Sequence, residues 1–147
     1  MPALMGISID FYAGDADDIG RAWANGKRPN AKAHADFSLH LDPTSLDLLS
    51  DLMKVPPLLD VLGRRVGGDG DEREANVVDP KWVSAVGVLP PASANQLAED
   101  WLKAVNEEEG EGSTDDAGHA PQAVRELIAL CKKAGTEKLE VVLAWSL

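Results

Sequence analysis

Alternation of apolar and polar residues in three separate segments constrains the fold of this chain most strongly. The three segments are residues 6–12, 36–41 and 138–146. Successive side chains of a β-strand point to opposite faces, so alternation predicts strands with one buried face and one solvated face. Strands of a doubly wound parallel sheet would instead be apolar throughout. The pattern therefore predicts a small, mainly antiparallel sheet that is covered on one side only.

Helix-start signals lie between the predicted strands. Asp42-Pro43 and Asp79-Pro80 each place a capping residue before a proline, which suits the first helical position. Residues 93–96 read as a capping box, and Pro121 opens a last helix before the C-terminal strand. Residues 1–147 are accordingly predicted to form a single α+β domain with its helices packed on one face of the sheet.

Two segments lack apolar periodicity and are predicted to be mobile loops. Residues 64–74 contain three glycines, and residues 107–118 contain six acids and no base. Neither segment is expected to separate two domains, because the apolar C-terminal strand needs the N-terminal strands as its sheet partners.

The charge of the chain narrows the classes of partner. Lys and Arg number 14 against 25 Asp and Glu, which leaves a net charge of −11. Such a chain is repelled by phosphate backbones and anionic lipids, so we expect neither nucleic-acid nor membrane binding. A basic protein is the favoured partner, and solubility alone is the simpler explanation of the charge. A single cysteine, Cys131, and an N-terminus without signal-peptide features predict a cytoplasmic protein.

The acids after the first predicted strand resemble the start of a calcium-binding loop. Asp15 and Asp17 occupy positions one and three of such a loop, and Gly20 occupies position six. The loop also needs an oxygen ligand at position five and a glutamate at position twelve, where this chain has Ile19 and Gly26. Helix capping by Asp15 or Asp17 is therefore favoured over metal binding. No metal site and no cofactor are predicted.

The polar face of the first two predicted strands is the candidate site. If these strands are neighbours, Asp10, Tyr12, Ser38 and His40 lie together on the uncovered face of the sheet. A carboxylate, a phenol, a hydroxyl and an imidazole there would suit a small polar ligand or a basic protein surface. The alternative is the ordinary wet face of an antiparallel sheet. No catalytic residue is assigned.

Two functions follow as hypotheses. The first is a non-enzymatic binding or interaction module whose acidic surface engages a basic partner, for which an immunity-like role is one concrete form. The second is a small hydrolase or ligand-binding enzyme that uses the face around Asp10, Tyr12, Ser38 and His40. The first hypothesis is favoured. A homodimer that buries the open sheet face is a further prediction.

Features at the two ends of the chain resemble one known family. Met5-Gly6 starts the first predicted strand, Asp42-Pro43 opens a leucine-rich helix, and a helix at residues 123–133 leads into the closing strand at residues 141–145. This layout resembles the YfbM-like family of small, uncharacterised bacterial cytoplasmic proteins. The resemblance implies a bacterial, cytoplasmic α+β protein, and it implies no activity.

Overall fold

A computed structural model describes residues 8–39 and 41–147. Over these residues the chain forms one five-stranded sheet, in which every neighbouring pair is antiparallel and the order is β2-β1-β5-β4-β3. The strands are β1 (Ser8–Gly14), β2 (Ala33–Asp36), β3 (Leu62–Gly68), β4 (Arg73–Val78) and β5 (Glu140–Ser146). The α+β class and the mainly antiparallel sheet are thus confirmed.

Five α-helices accompany the sheet over the same residues. They are α1 (Ala16–Ala24), α2 (Ser45–Leu52), α3 (Pro80–Gly87), α4 (Ala94–Glu109) and α5 (Ala120–Glu137). Asp79 caps α3 as predicted, since its carboxylate accepts a hydrogen bond of 2.8 Å from the backbone N–H of Lys81. Ser93 precedes α4 but makes no side-chain capping bond, because its hydroxyl donates to the Pro90 carbonyl oxygen instead. Helix positions were therefore better predicted than capping contacts.

The main core lies on one face of the sheet, under α2 to α5. Phe11 of β1 is fully buried there, with its ring 5.2 Å from that of Phe37 and stacked at 6.4 Å on that of Trp82. Trp101 of α4 is also buried and donates its indole N–H to the Ser45 carbonyl oxygen at 2.8 Å. Burial of large aromatic surface between the sheet and α2 to α5 is the main source of stability of this layer.

The opposite face carries α1, so the prediction that the helices pack on one face is wrong for this helix. Ile19 and Trp23 of α1 pack on a smaller apolar cluster, with Tyr12, Ala16, Ala75, Val142 and Ala144. The physical reason lies in β5, where Val141 to Ala144 are all apolar and all buried. A strand segment that is apolar on both faces needs cover on both faces of the sheet. Small side chains at Ala75 and Ala144 leave room for the helix to approach.

The predicted loop at residues 64–74 is instead most of a β-hairpin. β3 and β4 are joined by a turn at residues 69–72, for which Gly68 and Gly70 supply positive φ angles. Gly67 of this hairpin also admits α1, since a Cβ atom on Gly67 would lie 2.1 Å from the Gly20 carbonyl oxygen. The lack of apolar periodicity reflects this close backbone packing and not a loop.

The other segment boundaries need smaller corrections. In the predicted loop at 107–118, α4 continues through Glu109 and turns follow; the mobility of the turns stays a prediction. The second strand was predicted at 36–41 but spans Ala33–Asp36. Phe37 and Leu39 are buried, and the Leu39 N–H donates to the Phe37 carbonyl oxygen, so their alternation comes from core packing outside a strand. The strand predicted at 138–146 is β5.

Candidate functional site

A polar cleft of about 460 Å³ opens on the second face of the sheet, beside the end of α1. Its walls come from β1, β2, the start of β4 and the loop after α1. α1 packs mainly on β3 and β4 and only slightly on β1, so the β1–β2 side of this face is not covered by the helix. The site is therefore a product of incomplete coverage of one face.

An Asp–His pair lies in this cleft. His34 of β2 places Nε2 2.6 Å from Oδ1 of Asp10, and the other carboxylate oxygen of Asp10 accepts from the Ser8 hydroxyl at 3.1 Å. The Asp10 side chain is 11% exposed and that of His34 is 32% exposed. Asp10 thus orients the imidazole, whose Nδ1 has no hydrogen-bond partner among residues 8–39 and 41–147. In the neutral tautomer that donates Nε2–H to Asp10, Nδ1 is a proton acceptor.

Tyr12 adds a neutral hydroxyl to the same cleft. Its ring stacks on His34 at 4.8 Å and packs against Trp23 at 6.0 Å, and the residue is only 4% exposed. The hydroxyl has no hydrogen-bond partner in the described part of the chain, yet it is not among completely buried atoms, so it opens on the cleft. Burial, reinforced by the charge of Asp10, raises the pKa of Tyr12 to about 12, although Arg28 acts in the opposite direction. The phenol therefore stays protonated at neutral pH.

Cationic side chains line the edge of the cleft. Arg73 of β4 donates Nη1–H to the Trp23 carbonyl oxygen at 2.6 Å, and its guanidinium lies 6.0 Å from the centre of the Trp23 ring. Trp23 is itself held by an indole hydrogen bond of 2.9 Å to the Trp145 carbonyl oxygen. Lys27 and Arg28 follow on the loop after α1 and are exposed.

The four predicted site residues have different positions. Asp10 and Tyr12 line the cleft together. Ser38 lies behind it, where its hydroxyl accepts from the Ile9 N–H at 3.1 Å and is 3.2 Å from the Ser8 hydroxyl. His40 lies outside the described residues. Ser38 therefore supports the end of β1 and does not line the cleft.

The sequence interpretation missed His34, Trp23 and Arg73. His34 is two residues before Asp36, so extending the second alternating segment upstream would have placed it on the polar face. Trp23 belongs to α1, and the sequence does not indicate on which face of the sheet that helix packs. Arg73 lay in the segment predicted as a loop, and no sequence signal pointed to its contact with Trp23.

Potential metal ligands are not clustered in the described part of the chain. Within residues 8–39 and 41–147, no three His, Cys, Asp or Glu side chains are grouped closely enough to hold a metal ion. The acids after β1 cap a helix, because Asp15 Oδ1 accepts a hydrogen bond of 3.0 Å from the Asp18 N–H. The interpretation of this stretch as a helix cap is confirmed.

Comparisons with known proteins leave the cleft as the basis for any functional conclusion. No family model, no curated protein and no solved structure matches the chain. The resemblance to the YfbM-like family stays a prediction. No helix formed by residues 8–39 and 41–147 is long and apolar enough to cross a membrane.

Proposed function

We propose that the protein binds a small polar molecule in the cleft between α1 and strands β1 and β2. The observation that carries the proposal is Tyr12, a 4% exposed residue whose hydroxyl has no partner in the described chain and opens on the cleft. Polar groups in such positions are normally paired with protein, water or ligand. The cleft volume of about 460 Å³ lies within the usual range of small-molecule sites, roughly 300–1,000 Å³.

The Asp10–His34 pair supports the further proposal that the cleft catalyses a reaction by proton transfer. A ligand that accepts the Tyr12 hydroxyl proton in a hydrogen bond would lie beside the His34 ring, which stacks on Tyr12. The ring nitrogen that is not bonded to Asp10 is suited to take a proton from such a ligand or from a water molecule. Cys131, in contrast, is buried on the opposite face, where burial raises the pKa of its thiol to about 12. We therefore favour proton transfer by His34 over thiol chemistry.

A thermal-shift screen with a library of small polar fragments tests the binding proposal. Fragments that bind in the cleft should raise Tm of the wild-type protein, since a ligand that binds only the folded state stabilises it. Tyr12→Phe should lose most of this shift, because it removes the hydroxyl and keeps the ring. Ser113→Ala is the matched control, because it also removes one hydroxyl but outside the cleft. Ser113 lies in the turns after α4, and its hydroxyl bonds the Asn106 side chain of that helix. Equal shifts in both variants would count against the cleft.

A second candidate function concerns the exposed acids at the end of α4 and in the turns after it. They are Glu107, Glu108, Glu109, Glu111, Asp115 and Asp116. Within the described residues, none has a Lys or Arg nitrogen within 4.0 Å, so their charge is uncompensated. Although Glu109 is exposed, partial desolvation and the charges of Asp42 and Glu108 raise the pKa of its carboxyl group. This acidic segment supports binding of a basic protein, for which an immunity-like role is one form.

The acidic segment is tested by a pull-down from a bacterial lysate at low and at high salt. A basic protein retained at low salt and released at high salt is the expected result, because ionic screening weakens contacts between exposed charges. A variant with Glu107, Glu108 and Glu111 changed to Gln should lose this retention. We also propose a cytoplasmic location, which cell fractionation tests. A homodimer is proposed as well, and light scattering tests it.

A further inference from the structure

We infer that the ligand of the cleft is a small anion, whose carboxylate or phosphate group binds the guanidinium of Arg73 beside the end of α1. This inference rests on the proposed function, and it adds the chemical class of the ligand. Arginine presents planar N–H donors that match carboxylate and phosphate oxygens, so a positioned and unneutralised arginine in a cleft is a recognisable anion-binding feature.

Arg73 is held in place without an acidic partner. Its Nη1 donates to the carbonyl oxygen of Trp23 at 2.6 Å, and the guanidinium lies near the Trp23 ring. In residues 8–39 and 41–147 no carboxylate oxygen lies within 4.0 Å of its guanidinium nitrogens. The neighbouring arginines of the same hairpin differ, since Arg64 pairs with Asp17 and Arg65 pairs with Glu74. Arg73 is therefore oriented by an aromatic ring and by a carbonyl oxygen at the C-terminal end of α1, and not by a carboxylate of the described residues.

The turn after α1 brings two more cationic residues, Lys27 and Arg28, to the cleft. Gly26 closes the helix with a positive φ of 69°, and a Cβ atom there would lie 3.6 Å from Nη1 of Arg73. The Lys27 N–H donates to the Ala22 carbonyl oxygen at 2.8 Å, which fixes the turn that carries Lys27 and Arg28. All three cationic side chains line the same cleft. The turn thus adds positive charge to the cleft that Arg73 also lines.

The local charge contrasts with that of the whole chain. The cleft is lined by three cationic residues and two carboxylates, Asp10 and Asp36, whereas the chain as a whole has a net charge of −11. Asp10 is engaged by His34 and Ser8, and Asp36 accepts from the Ser38 N–H at 2.8 Å. The small local excess of positive charge suits one acidic group. Long-range repulsion by the rest of the protein disfavours a polyanion.

The position of Tyr12 and His34 defines the other end of the ligand. Both line the cleft with Arg73, and the Tyr12 hydroxyl is a neutral donor that needs an acceptor. The ligand class is therefore a small molecule with one carboxylate or phosphate and one further hydrogen-bonding group.

Matched titrations followed by ¹⁵N NMR test this inference. The probes are acetate, succinate and benzoate, each compared with its neutral amide, together with inorganic phosphate, all at constant ionic strength. The reporters are the Gly26 and Arg28 backbone amides and the Trp23 indole N–H. We expect saturable shifts with at least one anion and at least tenfold weaker binding of its amide. Whether a carboxylate or phosphate saturates these signals distinguishes the two sources of the acidic group.

Arg73→Gln should weaken anion binding by about tenfold or more, the usual loss for a charge-assisted hydrogen bond. Arg125→Gln is the control, because it makes the same charge change on α5, where the guanidinium contacts Asn95. Anion binding that survives Arg73→Gln, or is lost equally in both variants, overturns the inference. Amides that bind in the cleft while anions do not would overturn it and leave the proposed function standing. Absence of shifts with every probe would contradict both.

Discussion

The two faces of the sheet differ in how completely they are covered. On the first face, α2 to α5 bury Phe11 and its neighbours in a continuous apolar core. On the second face, α1 is the single helix among the described residues, and it covers mainly β3 and β4 and leaves the β1–β2 side open. Adjacent residues of β1 consequently have unlike surroundings, since Phe11 is in the core and Tyr12 lines a polar cleft. Residues of the first face therefore stabilise the fold, whereas the open side of the second face is available for binding.

The largest expected effect concerns this pair of neighbours. Phe11→Ala should lower the free energy of unfolding by about 3–5 kcal/mol, the usual cost of removing a buried aromatic ring. Tyr12→Phe should change it by less than about 1 kcal/mol, because the hydroxyl that it removes has no partner among the described residues. Urea denaturation measures both. If Phe11→Ala does not fold, Phe11→Leu should still be less stable than Tyr12→Phe. Equal losses would contradict the contrast between the faces.

A smaller effect is expected where α1 meets the hairpin. An alanine at position 20 would place Cβ 2.1 Å from the Val66 carbonyl oxygen, so α1 must move away from β3. We expect Gly20→Ala to cost about 1–3 kcal/mol by overpacking, reduced by about 1 kcal/mol of gained helix propensity. Trp23 should shift with the helix, and ligand binding in the cleft should weaken.

Gly135→Ala is the matched control on the first face. Gly135 lies in α5, and a Cβ atom there would have no neighbour within 4 Å. This substitution should therefore stabilise the protein by about 0.5–1 kcal/mol, the usual difference between glycine and alanine in a helix. A loss of stability at Gly135 as large as that at Gly20 would show that the close α1–β3 contact is not the cause. Thermal unfolding of the two variants makes the comparison.

The last prediction concerns the ionisation of Tyr12, which changes the stability of the protein only at alkaline pH. The chain has one tyrosine, so the tyrosinate absorbance reports this residue alone. Its pKa is raised from 10.0 to about 12, which means that the folded state favours the neutral phenol. The resulting contribution to stability is complete below pH 10 and is lost as the pH rises from about 10 to 12. A spectroscopic midpoint near 10 in the folded protein would mean that the phenol is fully solvated.

The sequence predicted the first face better than the second. Period-two alternation located β1 and β5 and the antiparallel sheet, because burial of one side of a strand imposes a simple pattern. It did not show where α1 packs, since Val142 and Ala144 are apolar on the side that the alternation assigned to solvent. The hairpin was missed because its glycines serve the turn and the approach of α1, and such backbone packing leaves no apolar period.

The candidate site was predicted only in part for a related reason. Asp10 and Tyr12 follow from the alternation of β1 alone. His34 could be assigned to the site only with the correct bounds of β2, which begins three residues before the predicted strand. Arg73 could be assigned to the site only from the position of Trp23, to which it is hydrogen-bonded although the two residues are 50 positions apart in sequence. Residues that meet through tertiary packing cannot be grouped by local spacing.

A crystal structure of the protein soaked with a fragment selected by the thermal-shift screen would show directly whether the cleft binds a ligand. We expect ligand density in the cleft, within hydrogen-bond distance of the Tyr12 hydroxyl and beside the His34 ring. An anionic fragment should also contact the Arg73 guanidinium. Density only at the acidic segment or in an apolar groove on the first face, with the cleft filled by solvent, would contradict this expectation.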